Sequence, residues 1–298
     1  MKKNDRYITE LNQEAIDFLL YSYFGIRNDE DEKSVALKCA QRAYLDLNRT
    51  LEYNKELKKD KGIDAQSGEL CRGQFKNIIC EVIVSQIYKR ILNNCKNFED
   101  EHENICKLTI KLADGFKFKS HEDSSNYSIL STEFKYGQAQ KWLNMTLKYM
   151  WLLGLWKDKL DALNLHVPVD SYILRAVSEQ NEKKKNEEKV LIPRKDGKNS
   201  YKYSESCTKP WSEWHWEEIE KYKKFQEKLG ENRKKWEGKA WIDIAEKKKE
   251  EEKARIEEAV VEANALYEIT LSESPEIEDE IKKEINGLLG IVSRHLED

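Results

Sequence analysis

The chain has 298 residues, 36% of them charged and 39% hydrophobic, with a net charge of −4. An average globular protein carries about 25% charge; the excess, with only 4 Pro and 12 Gly, points to long solvated helices. It excludes an all-β sandwich or barrel, which needs a turn every ~8–12 residues.

The first element reads as a helix over 8–24, where Ile8, Leu11, Ala15, Phe18, Leu19 and Tyr23 recur at three and four. A second runs from Ser34 to Leu57 with the stripe Leu37, Ala40, Tyr44, Leu47 and Leu51. Within it Asp46 and Arg49, three apart, suit an internal ion pair or part of a polar site. Residues 59–73 are polar and contain glycine, which predicts a loop. Phe75 to Leu92 carries Ile78, Ile79, Val82, Ile83, Ile87 and Ile91. Its β-branched residues suit a strand, but its length and 3–4 spacing favour a helix. A helix over 100–113 and a polar loop over 117–128 follow.

The centre of the chain is its most apolar part. Gly137 to Gly154 reads as one helix in which Trp142, Leu143, Met145, Leu147, Tyr149, Met150 and Leu152 leave one polar line, Lys141, Asn144 and Lys148. A helix apolar on nearly every side is buried. That line therefore faces a cleft, a partner or water, because an unpaired buried ammonium is very costly. A helix from Ser171 to about Gln180 comes next, then a polar loop or short hairpin over 181–209. Trp211, Trp214, Trp216, Tyr222 and Phe225 lead a further helix to about Leu229, followed by Trp236 and Trp241. Such a cluster is either a lid over the core or a stacking platform for bases. His215, between Trp214 and Trp216, reads as a buried structural residue.

From Lys248 to Asp298 there are 7 Lys and Arg against 15 Asp and Glu, a balance of −8; the preceding residues hold 45 against 41, a balance of +4. The tail predicts an acidic helical hairpin. Its first helix carries Ile256, Ala259, Val260, Ala263 and Leu266. Its second opens with Ser274 as N-cap and Pro275 at the first helical position, and carries Ile277, Ile281, Ile285, Leu288 and Val292. Two domains follow: a helical body over 1–247 and an appended amphipathic hairpin over 248–298, suited to pairing with a second copy or a protein partner. No apolar run reaches the ~18 residues of a membrane span, and the start, Met1-Lys2-Lys3-Asn4-Asp5, lacks an apolar signal core. A soluble, cytoplasmic protein without membrane contact is expected.

Phosphate loops, dinucleotide fingerprints, nucleophile elbows and H-E-x-x-H are all missing. Six cysteines without a C-x-x-C pair predict reduced thiols, and five dispersed histidines predict no metal site. No cofactor is expected.

Two segments carry the chemical lead: Gly137-Gln-Ala-Gln-Lys141 and Val167-Pro-Val-Asp-Ser-Tyr-Ile-Leu-Arg-Ala-Val177. Over these roughly 40 residues the chain resembles the helix–hairpin–helix DNA glycosylases. In that family a Gly-x-Gly hairpin leads into a helix that can carry a lysine nucleophile, and a Pro-Val-Asp segment carries a catalytic aspartate. The resemblance implies an all-α, glycosylase-like body acting on DNA, with cleavage of the N-glycosidic bond of a damaged or modified base. Lys141 matches the lysine and Asp170 the aspartate. Gly137, Gln138, Gln140, Asn144, Lys148 and Arg175 would be nucleic-acid contacts. Ala139 stands where the family has its second glycine, and 29 residues separate Lys141 from Asp170, about ten more than usual. Asp170 also reads simply as the N-cap of the helix beginning at Ser171.

Segments 43–51, 137–149, 166–170 and 236–241 also resemble a bacterial family of uncharacterised helical proteins, over roughly 33–247; this implies no activity. Two alternatives from other classes stay open. One is a non-catalytic helical adaptor in a phage-defence or toxin–antitoxin assembly. The other is plain nucleic-acid binding without chemistry.

Overall fold

The computed structural model describes residues 13–55, 57, 64–93, 95–119, 125–230 and 242–261. The chain divides into two units, Met1–Glu237 and Gly238–Asp298. It is mostly helical: α1 (Gln13–Phe24), α2 (Glu32–Leu47), α3 (Asp64–Gln86), α4 (Phe98–Gly115), α5 (Tyr136–Leu152), α6 (Lys157–Asp161), α7 (Ser171–Lys183) and α8 (Ile219–Leu229) in the first unit. Residues 242–261 are helical in the second. Two short antiparallel pairs, β1 (Lys117–Lys119) with β2 (Asn126–Ser128) and β3 (Ile192–Pro193) with β4 (Asn199–Ser200), interrupt the helices. No described helix is long and apolar enough to cross a membrane. Ile8, Leu11, Trp236, Trp241, Ala263, Leu266 and the helix expected from Ser274 to Val292 lie outside the described residues.

The centre of the first unit is α5, buried at almost every position from Tyr136 to Met150. It packs most closely on α2, which meets it with small side chains: Ala36, Cys39, Ala40 and Ala43 are fully buried. That close approach lets the Trp142 indole donate to the Ala40 carbonyl at 2.9 Å. The buried face of α2 is thus rotated toward its alanines, and Leu37, expected in the core stripe, is only half-buried.

Several boundaries move. The loop expected over 59–73 is helical from Asp64, because α3 starts a full three turns before its apolar run; a glycine inside a helix costs only about 1 kcal/mol. α2 stops at Leu47 in a 3₁₀ turn, Asn48–Thr50, and the loop expected at 117–128 holds the β1–β2 pair. α3 continues into a π-helical turn, Ile87–Leu92, for which no sequence signal exists. Among the described residues of its stripe α1 buries none: Phe18 is 68% exposed and Leu19 51%. Asp46 pairs with Arg42 one turn before it, not with Arg49, and accepts from the Tyr149 hydroxyl at 2.6 Å.

α5 ends in a Schellman turn. Leu155 N–H bonds to the Met150 carbonyl at 2.9 Å and Gly154 N–H to the Trp151 carbonyl at 3.1 Å, with Gly154 at φ 74°, where glycine carries no Cβ penalty. Two residues later Trp156 also turns left-handed, at φ 44°, a conformation costly for a bulky side chain.

Candidate functional site

Lys141 and Asp170, 29 positions apart, meet. Lys141 Nζ donates to Asp170 Oδ2 at 2.6 Å, with side-chain exposures of 6% and 15%. The geometry follows from two local causes. α5 carries Lys141 on its inner side, and the Pro168-containing extended stretch delivers Asp170 as the N-cap of α7, where Oδ1 accepts from Ile173 N–H at 3.0 Å. One carboxylate thus caps a helix and binds an ammonium. The Trp211 ring lies 5.8 Å from Nζ.

Gly137 explains how Trp211 gets there. It is the second residue of α5, not the apex of a hairpin. A Cβ on it would lie 1.7 Å from the Trp211 carbonyl oxygen, and its N–H bonds to the Trp214 carbonyl at 2.9 Å. Gly137 and Lys141 are one helical turn apart on one face, so the chain that seats on the glycine also places the indole beside the lysine.

The expected polar line of Lys141, Asn144 and Lys148 does not face one cleft, and the glutamines beside it are also bonded within the protein. Gln138 Nε2 donates to the Thr50 carbonyl at 2.8 Å, and its Oε1 accepts from Lys135 N–H at 2.9 Å. Gln140 and Asn144, fully buried, enter a polar network with Tyr222, expected only as part of the aromatic cluster, and with His102, His166 and Glu99, for which the sequence suggested no site role. Lys148 is half-buried farther along α5. Arg175 forms an ion pair with Glu205 and lies over the Tyr203 ring at 5.1 Å. Gly137, Gln138, Gln140 and Asn144, expected as nucleic-acid contacts, are thus buried with protein partners rather than lined up along a surface. His215, expected buried, is exposed, while Trp214 is buried beside it.

The directions of the first bonds in that network follow from one fixed acceptor. Gln140 Nε2 donates to the Gly137 carbonyl at 2.9 Å, so Oε1 accepts from Asn144 Nδ2 at 2.9 Å. The second Asn144 N–H donates to the Tyr222 oxygen at 2.8 Å, leaving Asn144 Oδ1 to accept from His102 Nε2 at 2.8 Å. The Tyr222 hydroxyl lies 2.9 Å from His166 Nδ1, and His166 Nε2 lies 2.6 Å from Glu99 Oε2. The two imidazoles are 4.3 Å apart between centroids. The Tyr222 ring stacks on His102, and Gln226 clamps the strand-like approach to Asp170 by pairing both the N–H and the carbonyl of Val167. His166 stands directly before Val167-Pro-Val-Asp170, which is the one signal that could have found it.

The thiols divide by surroundings. Burial raises Cys39 and Cys80 to about 12 and pushes Cys106 well above its ordinary range. Hydrogen bonds from Ser206 and Ser204 hold Cys207 below its ordinary value. Among the described residues no three His, Cys, Asp or Glu side chains are grouped to hold a metal ion. No family model, curated protein or solved structure matches the chain.

Proposed function

We propose that this is a DNA-acting protein whose chemical centre is the Lys141–Asp170 pair, in the manner of a base glycosylase. One observation carries the reading: two side chains 29 residues apart, singled out by their motifs, lie in direct contact at 2.6 Å beside an aromatic face. Asp170 would stabilise a sugar acquiring oxocarbenium character. The Lys141 amine, once deprotonated through Asp170, would attack C1′. The C1′–N glycosidic bond breaks, its electron pair leaves with the base, and the base takes up the proton Lys141 gave away. Asp170 keeps the more exposed edge of the pair, so substrate would reach the carboxylate first. A base is normally extruded from the duplex for such chemistry.

The test is borohydride trapping of the full chain on duplexes bearing an abasic site, uracil, 8-oxoguanine or an alkylated base. A covalent adduct is expected, lost in Lys141→Gln. Base release should slow more than a hundredfold in Asp170→Asn while the DNA is still retained. No adduct and no released base from any duplex would overturn the reading. Salt-dependent retention alone would leave a binding module.

A second reading, a non-catalytic module that docks a partner, is favoured by α1, which holds Phe18, Leu19, Tyr21 and Tyr23 at 50% exposure or more. Self-association that rises with concentration and is lost in Phe18→Ser/Leu19→Ser would support it.

A further inference from the structure

The first unit contains a second feature with the form of a ligand site, a cavity of about 730 Å³ walled by the start of α2, the end of α3, the π-helical turn and Trp156. Pockets that hold small ligands run from about 300 to 1,000 Å³. Lys141 is absent from its lining and lies eleven residues before the end of α5, about 16 Å of helix rise; Trp156 is past that end. The cavity is therefore separate from the Lys141–Asp170 pair.

Its walls define a chemistry. The Tyr88 and Trp156 rings touch at a tilt, 6.2 Å between centroids and 58° between planes, and form one aromatic wall beside the aliphatic side chains of Leu37 and Val84. Two irregularities aim these rings. The π turn resets the side-chain angle of Tyr88 relative to α3, and Trp156 is held at φ 44°. Both kinds of distortion concentrate at functional sites. Tyr88 is still 50% exposed, so an aromatic guest would bury surface that now faces water.

The polar lining is balanced, with Asp31 and Glu81 against Lys33 and Lys89, beside the hydroxyls of Ser34 and Ser85. The N-terminus of α2 is closed to an anion. Asp31 Oδ1 already accepts the N–H groups of Lys33 and Ser34 at 2.9 and 3.0 Å, and these hydrogen bonds, led by those with Ser34, keep its carboxyl below the ordinary value. A second negative charge there meets a carboxylate instead of free amides. We infer that this cavity binds an uncharged planar heteroaromatic, a free nucleobase or nucleoside, and discriminates against its phosphorylated form. The guest ring packs on the open faces of Tyr88 and Trp156, and the serine hydroxyls and Glu81 read its polar edge.

Titration calorimetry of the full chain with adenine, guanine, cytosine and thymine, their nucleosides and the 5′-monophosphates tests this. It needs no activity at Lys141, so it stands or falls apart from the excision reading. At least one base or nucleoside should bind with a Kd below about 1 mM, and its monophosphate should bind at least tenfold more weakly. Trp156→Gly and Tyr88→Ala should each weaken binding by tenfold or more. The glycine accepts the left-handed backbone, and if that variant fails to fold, Tyr88→Ala, altering an exposed ring, carries the same test. The inference is overturned if no base or nucleoside binds, if both variants bind as the parent does, or if the monophosphate binds equally well. Preference for free tryptophan or phenylalanine, zwitterions that the mixed charges could also pair, would overturn it too.

Discussion

At the scale of single residues, Asp170 carries two duties that substitution can separate. Asparagine caps a helix about as well as aspartate, so Asp170→Asn keeps the bond to Ile173 while leaving the Lys141 ammonium buried without its counter-charge. Removing one partner of a buried pair costs about 3 kcal/mol or more, and Asp170→Ala loses about 1 kcal/mol beyond that with the cap. Adding Lys141→Met to Asp170→Asn should recover most of the loss, because an apolar chain of similar volume is comfortable there. Urea denaturation of the three variants checks the order. An Asp170→Asn variant as stable as the parent would show that the pair has no structural weight. The capping role of Asp170 was legible from Pro-Val-Asp-Ser. Its lysine partner was legible only as an expectation, since nothing in 29 intervening residues states a distance.

At the scale of elements, α5 shows how a local rule is overridden by a neighbour. By helix propensity, Gly137→Ala should stabilise α5 by about 1 kcal/mol. Instead the new methyl would occupy the place of the Trp211 carbonyl oxygen, 1.7 Å away, and the substitution should destabilise by about 3 kcal/mol through overpacking. A lowered melting temperature, with Trp211 shifted to a wetter fluorescence, is the expected outcome; a raised one would mean that the turn Trp211–Glu213 is free to retreat. The same contact explains why the glycine looked like a hairpin glycine. Its spacing to Lys141 suits either use, and only the chain seated on it decides. The polar line Lys141, Asn144 and Lys148, expected to face a cleft, a partner or water, does not form one seam: Lys141 pairs with Asp170, and Asn144 faces an internal network with Gln140, because Tyr222 and the two histidines arrive from α8, α4 and the segment before α7.

At the scale of the whole first unit, the cysteines report how tightly it is closed. Cys39, Cys80 and Cys106 sit on α2, α3 and α4 around α5 and are fully buried, and burial keeps their thiols protonated and unreactive. Cys207, its thiol favoured toward thiolate by two serine hydroxyls, needs no opening to react. A short pulse of iodoacetamide near pH 8, read by mass spectrometry, should label Cys207 first and the three core thiols only on the timescale of global opening. Early labelling of Cys106 would mean that α4 detaches from α5 locally.

What the amino-acid order settles by itself is the helical class, the burial of the stretch from Gly137 to Met150, the cap at Asp170 and the helical character of the run that begins at Phe75, although Ile78 in it stays exposed. Each of these is written in neighbours three or four positions apart, within reach of one helix. What tertiary packing decides is different in kind. It places Lys141 against Asp170, ties His102, Asn144, Tyr222 and His166 into one chain of hydrogen bonds, leaves Phe18 and Leu19 of α1 exposed, and turns Tyr88 and Trp156 toward a shared cavity. Those outcomes depend on separations of tens of residues, which spacing along a helix does not encode and close packing between helices does.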